Sequence, residues 1–257
     1  GRFLASSFQL TSCQKVKICY NSDVYYHKIW RGFFMKKAFT LSEVLVTLGI
    51  IGVVSAMTVP TLMQNHQRKT YVTQLHKVYN EISQALLQYQ TDKNAVNLRE
   101  AGLISTDAAD TFFKTYFKII DDCGAEFTPC FADSSVYKYM NGNSVNPVVR
   151  GRHIVLANGS SIKYEYPDDV NDGLILVRLF VDTNGQKGPN IVGRDMFALY
   201  IYNDGKIDDY SKDNTSSTTL SKEQREKSFN DVCNGSTAGG WYGCFGKILN
   251  DNWEMTY

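Results

Sequence analysis

Residues 35–60, "MKKAFTLSEVLVTLGIIGVVSAMTVP", decide how the rest of the chain is read. From Phe39 through Val59 the only charge is Glu43. At about 1.5 Å of rise per residue the run makes a helix about 31 Å long, the thickness of a bilayer's hydrocarbon core. A carboxylate in such a run costs roughly 2.5–3.5 kcal/mol near the centre and less near an end. An acid kept at that cost calls for a partner.

Outward from this stretch, the flanks differ in charge. The chain has 257 residues and a formal net charge of +1. Residues 1–38 hold seven Lys/Arg against one acid, Asp23, so the remainder carries 20 bases against 25 acids, a net −5. General attraction to nucleic acid or anionic lipid is therefore not expected of the chain after Ala38. The first 34 residues show no clear period and are too few to bury a core unaided. They read as an upstream extension, with Met35 as the natural start. Lys36 and Lys37 then place positive charge ahead of the apolar run, as in an export signal. A secretory signal has its small-residue cleavage site after the apolar region. Here the small residue precedes it, and helical periodicity continues beyond Pro60.

These residues carry a specific resemblance. "KKAFTLSEVLVTLGIIGVVSAMTVP" is similar to the prepilin-type cleavage and methylation segment of type IV pilins and type II secretion pseudopilins: a short basic leader, a small residue, Phe-Thr-Leu-x-Glu, then an apolar stretch. The resemblance implies cleavage between Ala38 and Phe39 by a prepilin peptidase, with N-methylation of the new Phe39 amine. Glu43 becomes the fifth mature residue, and Pro60 falls where pilins commonly carry a helix-perturbing proline. The residue before the cut is usually Gly, and Ala38 is the one departure. The resemblance also supplies Glu43 with a partner, the N-terminal amine of a neighbouring subunit. Opposite charges attract far more strongly in a low-dielectric bundle than in water. The alternative is a carboxylate that snorkels into the headgroups.

Beyond Pro60 the pattern turns amphipathic. Tyr71, Leu75, Val78, Ile82, Ala85, Leu86 and Tyr89 recur at steps of three and four, with no Gly or Pro from Thr61 to Glu100. One helix is expected to about Asp92, half membrane anchor and half buried stripe. A second is expected from Thr106 to Ile120, capped by Ser105 or Thr106. Strand signals follow. "HIVLANGSSIKYEY" sets Asn158-Gly159 between two β-rich runs, a hairpin signal. "GLILVRLFVD" and "MFALYIYNDGKI" read as further strands, the latter turning at Asp204-Gly205. Residues 211–220, "SKDNTSSTTL", read as an exposed loop. The expected fold is α+β, a long N-terminal helix packed on an antiparallel β-sheet, as in pilins. Its divisions are a leader over 1–38, a helix over 39–93 (39–59 transmembrane, 60–93 amphipathic) and a globular domain over 94–257.

Cys13 and Cys19 lie in the extension, leaving Cys123, Cys130, Cys233 and Cys244. Spacings of seven and eleven favour local disulfides 123–130 and 233–244 in an oxidising compartment, with the other two pairings open. Neither spacing is that of a zinc site, and His66 and His76 suggest no metal. The chain has no G-x-S-x-G, P-loop, dinucleotide fingerprint or H-E-x-x-H, so an enzyme is not expected. The pairs Asp121-Asp122, Asp168-Asp169 and Asp208-Asp209 read as solvated turn acids. "VDTNGQKGPNIVGRDMF", residues 181–197, sets Asp182, Asn184 and Asp195 around a Gly-rich turn. It supports two readings, a turn held by Asx hydrogen bonds or a calcium site, loosely similar to the calcium loop of major pseudopilins. No cofactor is required, and calcium is the one candidate.

The expectation is a structural subunit of a type IV pilus or type II secretion pseudopilus, anchored in the inner membrane by one span with its C-terminal domain periplasmic. Its partners would be prepilin peptidase, other pilin or pseudopilin subunits, the inner-membrane assembly platform and, before assembly, lipid. The second reading is a minor pilin whose exposed domain binds a surface or DNA, with Trp241, Tyr242, Phe245 and Trp253 either serving that role or completing the core. Nucleic acid as partner has no support in the charge.

Overall fold

A computed structural model describes residues 39–145, 150–167, 174–214, 219–234 and 240–257. Two compact units divide at Ala56, the second being Met57–Tyr257. Helix α1, Leu41–Asp92, runs through Pro60 without interruption. From Leu41 to Gln67 every residue is exposed. Of the stripe expected from the sequence, Leu75, Val78, Ile82, Ala85, Leu86 and Tyr89 are buried, whereas Tyr71 is half-buried and its neighbour Val72 is the first buried residue instead. This stripe is continuous with the main core. Tyr89 meets Phe112 edge-on at 5.3 Å, and its hydroxyl donates to the Ala101 carbonyl at 2.9 Å.

Helix α2 is Thr106–Tyr116, and the Ser105 side chain accepts from the Ala108 N–H as its N-cap. The expected end at Ile120 is corrected. Phe117 is extended, and Ile119 opens strand β1, Ile119–Gly124, opposite Leu156. Strand pairing outcompetes helix continuation here, and β-branched Ile119 and Ile120 suit it.

The sheet has six strands in sequential order, every neighbouring pair antiparallel: β1, β2 (Arg152–Leu156), β3 (Ser161–Glu165), β4 (Ile175–Asp182), β5 (Met196–Tyr202) and β6 (Ile207–Asp208). Asn158-Gly159 turns β2 into β3. Gly159 has φ +87°, and the Asn158 side chain accepts from the Ser160 N–H at 2.9 Å. Every residue of β3 and β5 is buried, so both faces of the sheet are covered. On one face Tyr164 stacks on Phe113 of α2 at 4.3 Å. On the other, Phe180 meets Trp241 edge-on at 4.8 Å.

The C-terminal part departs most from expectation. Helix α3, Lys222–Ser228, passes into one π-helical turn, Phe229–Cys233, and α4 spans Cys244–Asn250. The segment expected to be an exposed loop is not uniformly so: Ser211, Asn214 and Leu220 are buried. Nor are Asp208 and Asp209 solvated turn acids, because both are fully buried. Asp121 and Asp122 are exposed but lie on β1, and Asp168-Asp169 fall outside the described residues. Phe245 is buried, Trp241 packs on Phe180, and Trp253 stacks on His76 at 3.9 Å, so these aromatics build the core and its margin.

Candidate functional site

The first candidate is the start of α1. Ala38 lies outside the described residues, and Phe39 is exposed. Glu43 sits in the first helical turn, and its carboxylate accepts from the Thr40 N–H and the Thr40 hydroxyl, each at 2.9 Å. The Thr40 hydroxyl accepts in return from the Glu43 N–H at 3.2 Å. This is a capping box written in the sequence as Thr40-Leu41-Ser42-Glu43, a signal the reading of Glu43 as a lone acid passed over. The carboxylate thus has a local role at the positive end of the helix dipole, and both contacts use Oε2. Beyond it, Leu45, Leu48, Ile50, Ile51, Val53 and Val54 stand exposed. Among the described residues, α1 is the one helix long and apolar enough to cross a membrane.

The second candidate is the loop from β4 to β5. It brings together Asp182, Asn184 and Asp195. The Tyr137 hydroxyl donates to Asp182 Oδ2 at 2.9 Å, and the Asn184 N–H donates to Oδ1 at 3.2 Å. Asp195 accepts from the N–H groups of Asn190 and Ile191 at 2.8 and 2.7 Å. Burial, and then the Asp195 charge, push the Asp182 carboxyl well above its ordinary value. Burial raises Asp195 against the pull of these N–H donors. Both carboxylates are therefore held in Asx-type turns, but the turns do not use every oxygen. The buried Oδ1 atoms of Asn184 and Asn190 have no donor among the described residues. The loop thus carries two buried acids and two amide oxygens without donors among the described residues, oxygen groups of the kind calcium takes as ligands. Gln186, Lys187 and Arg194 are exposed. Within the Gly-rich turn, Gly185 has positive φ and Gly188 does not; Asn190 and Gly193 are the other left-handed positions. At Gly193 a Cβ would come within 2.7 Å of Cys244 Sγ, so the loop lies directly against a cystine.

Cys123 is bonded to Cys130 and Cys233 to Cys244. Asp121, Cys123 and Cys130 converge, but both sulfurs are committed to the disulfide and offer no thiolate to a metal. What sequence reasoning missed is the acid pair after β6. Asp208 forms a bidentate pair with Arg225, at 2.8 and 2.7 Å, and accepts from the Leu220 N–H at 2.8 Å. Asp209 accepts from the N–H groups of Tyr210, Gly243 and Gly246, and burial pushes its carboxyl up to about 7. Nothing local in the sequence marks these acids, because apart from the adjoining N–H groups of Asp209 and Tyr210 their partners lie 12 to 37 residues away.

No curated protein and no solved structure matches the chain. The match that exists falls on the first candidate. Residues 34–59 match the prokaryotic N-terminal methylation motif, so the chain carries the prepilin-type signature of type IV pilins and pseudopilins.

Proposed function

We propose that the chain is a prepilin-type structural subunit, cut between Ala38 and Phe39, N-methylated on Phe39, and assembled into a type IV pilus or type II secretion pseudopilus. One observation carries the reading: the methylation motif leads directly into an apolar helical segment that no other part of the described chain covers. Before assembly that surface requires lipid, as a single inner-membrane span with the C-terminal domain periplasmic. In a filament it is buried against the same surface of other subunits, and the role is structural, without catalysis. Prepilin peptidase and an inner-membrane assembly platform are the partners this route needs.

The capping box makes the role of Glu43 testable. Glu43→Gln keeps a side chain able to cap, since Gln serves at this position of a capping box, and removes the charge. Glu43→Ala removes both. If the charge pairs with a neighbouring Phe39 amine, both variants are cleaved normally and both fail to enter filaments. Filament incorporation of Glu43→Gln at the wild-type level would leave Glu43 with the capping role alone.

A second proposal concerns the β4–β5 loop, where we assign calcium to Asp182, Asn184 and Asp195. The donor-free Oδ1 atoms of Asn184 and Asn190 favour it over a purely hydrogen-bonded turn. The minor-pilin reading has no comparable observation, because its aromatic candidates pack inward.

A further inference from the structure

A small pocket of about 80 Å³ lies beside α1, bordered by Arg68, Arg194, Gln64, Gln67, Tyr71 and Met255. Two guanidinium groups on separate elements, one from α1 and one from the β4–β5 loop, thus border the same small space. Among the described residues neither has a carboxylate within ion-pair distance. Glu254 borders the adjoining cavity that Arg68 also lines. Asp195, next to Arg194 in the chain, is occupied by backbone N–H groups. Two unpaired cations with amide side chains alongside make an anion site, and Arg forks match phosphate oxygens two at a time.

The position along α1 identifies the anion. Exposed apolar side chains continue past Pro60 through Leu62 and Met63, and Arg68 is the first Lys or Arg after them. Counted to Met63 the apolar run has 25 residues from Phe39, about 37 Å, which a core of about 30 Å accommodates by tilting, and Arg68 lies five residues beyond Met63, about 7.5 Å along the axis. A headgroup layer is roughly 5–8 Å deep on each side of the hydrocarbon core. Helical side chains also lean toward the N-terminus, which here is the membrane side. The guanidinium groups therefore reach the depth of lipid phosphates. An acidic side chain of a second copy, such as the exposed Glu254, would satisfy the same charges, and the experiment below separates that occupant from lipid.

We propose that the pocket bordered by Arg68 and Arg194 binds the phosphate of a phospholipid headgroup. Such a contact would fix the height and rotation of the subunit at the membrane before assembly. The proposal rests on α1 spanning a bilayer and is independent of which filament the subunit enters.

Native mass spectrometry of the full chain, delipidated in nonionic detergent, tests it. Phosphatidylglycerol and diacylglycerol with the same acyl chains are offered separately. One phosphatidylglycerol should be retained per chain in preference to diacylglycerol, and Arg68→Gln with Arg194→Gln should weaken retention about tenfold, the scale of one lost charge-assisted contact. Both side chains reach solvent, so the double variant should keep the wild-type melting midpoint, and the double Lys variant should recover part of the binding. Equal retention of both lipids, or of phosphatidylglycerol by wild type and double variant, overturns the proposal. Displacement by millimolar inorganic phosphate would assign the site to a free anion instead. Loss of crosslinked dimers in the double variant with lipid retention unchanged would assign it to a second copy. A wild-type chain that binds vesicles of no composition would overturn the membrane reading along with the pocket.

Discussion

The buried stripe of α1 and the segment from β6 to α4 belong to one compact unit but are held in opposite ways. The stripe from Val72 to Tyr89 is apolar and periodic, and it continues a helix of 52 residues. A helix of that length propagates its own hydrogen bonds, and burial of one face suffices to dock it. Helices α3 and α4 have seven residues each, too short to persist alone. They are pinned instead by polar groups taken out of water. Asp208 grips Arg225 and Leu220, Asp209 gathers three backbone N–H groups, and Cys233–Cys244 closes the segment. Gly243 completes the arrangement at φ +95°, where a Cβ would meet the Ser228 carbonyl oxygen at 2.4 Å. Long elements can be secured by area alone; short ones need directional contacts.

The comparison breaks most sharply at Arg225. Arg225→Met leaves Asp208 fully buried with the backbone N–H groups of Asp209 and Leu220 as donors and, among the described residues, no cation. Removing one partner of a buried pair costs about 3–5 kcal/mol. Urea unfolding of the full chain in detergent micelles, followed by tryptophan fluorescence, reads this directly, since Trp241 and Trp253 both lie in the affected unit. A loss under about 1 kcal/mol, the scale of an exposed pair, would show that α3 and α4 are held by apolar contact after all.

A smaller loss separates the two ends of α1. Ile82 is fully buried, whereas Ile50 is exposed. Ile82→Ala should cost about 2–4 kcal/mol in the same assay, from lost transfer energy and a residual cavity. Ile50→Ala should stay within about 0.5 kcal/mol, because no protein surface covers it in the single chain. Its effect belongs in filament yield. Equal losses at both positions would mean that the first half of α1 packs within its own subunit, contrary to the proposed function.

This contrast also accounts for what could be read ahead of the structure. The spacing of Leu75, Val78, Ile82 and Tyr89 is a local property, so the helix and its buried face were legible to within a few residues. So were the Asn158-Gly159 and Asp204-Gly205 turns, since each depends on two adjacent residues. The end of α2 was misplaced because pairing of Ile119 with Leu156 on β2 decides it, 37 residues downstream. The burial of Asp208 and Asp209 was invisible for the same reason, and charge pattern alone made them look solvated. At the candidate sites, Asp182, Asn184 and Asp195 were identified as a group. The hydroxyl that Tyr137 sends to Asp182 and the donor-free amide of Asn190 were not.

The smallest expected effect is the one that tests the calcium proposal. A ligand that binds only the folded state adds about 1.4 kcal/mol when its concentration is tenfold above Kd. Millimolar calcium against chelator should therefore raise the melting midpoint of the full chain, and Asp182→Asn should remove the increment. Protons compete for the same carboxylates, which sets a sign. Asp182 and Asp195 have folded-state values raised above the unfolded ones, so the calcium-free folded state binds more protons than the unfolded state between those values. These two acids thus favour folding more as pH falls through their raised range toward about 4, and oppose it as pH rises. Calcium should act in the complementary range, with its increment greatest at a pH above the raised values, where both carboxyls must otherwise ionise side by side. It should shrink at a pH below them as protons take its place. Asp182→Asn should also blunt the pH dependence of the calcium-free protein, because an amide keeps an acceptor for the Asn184 N–H but cannot titrate. Midpoints identical with calcium and chelator at both pH values would leave the loop as a hydrogen-bonded turn whose two asparagine oxygens are served by water.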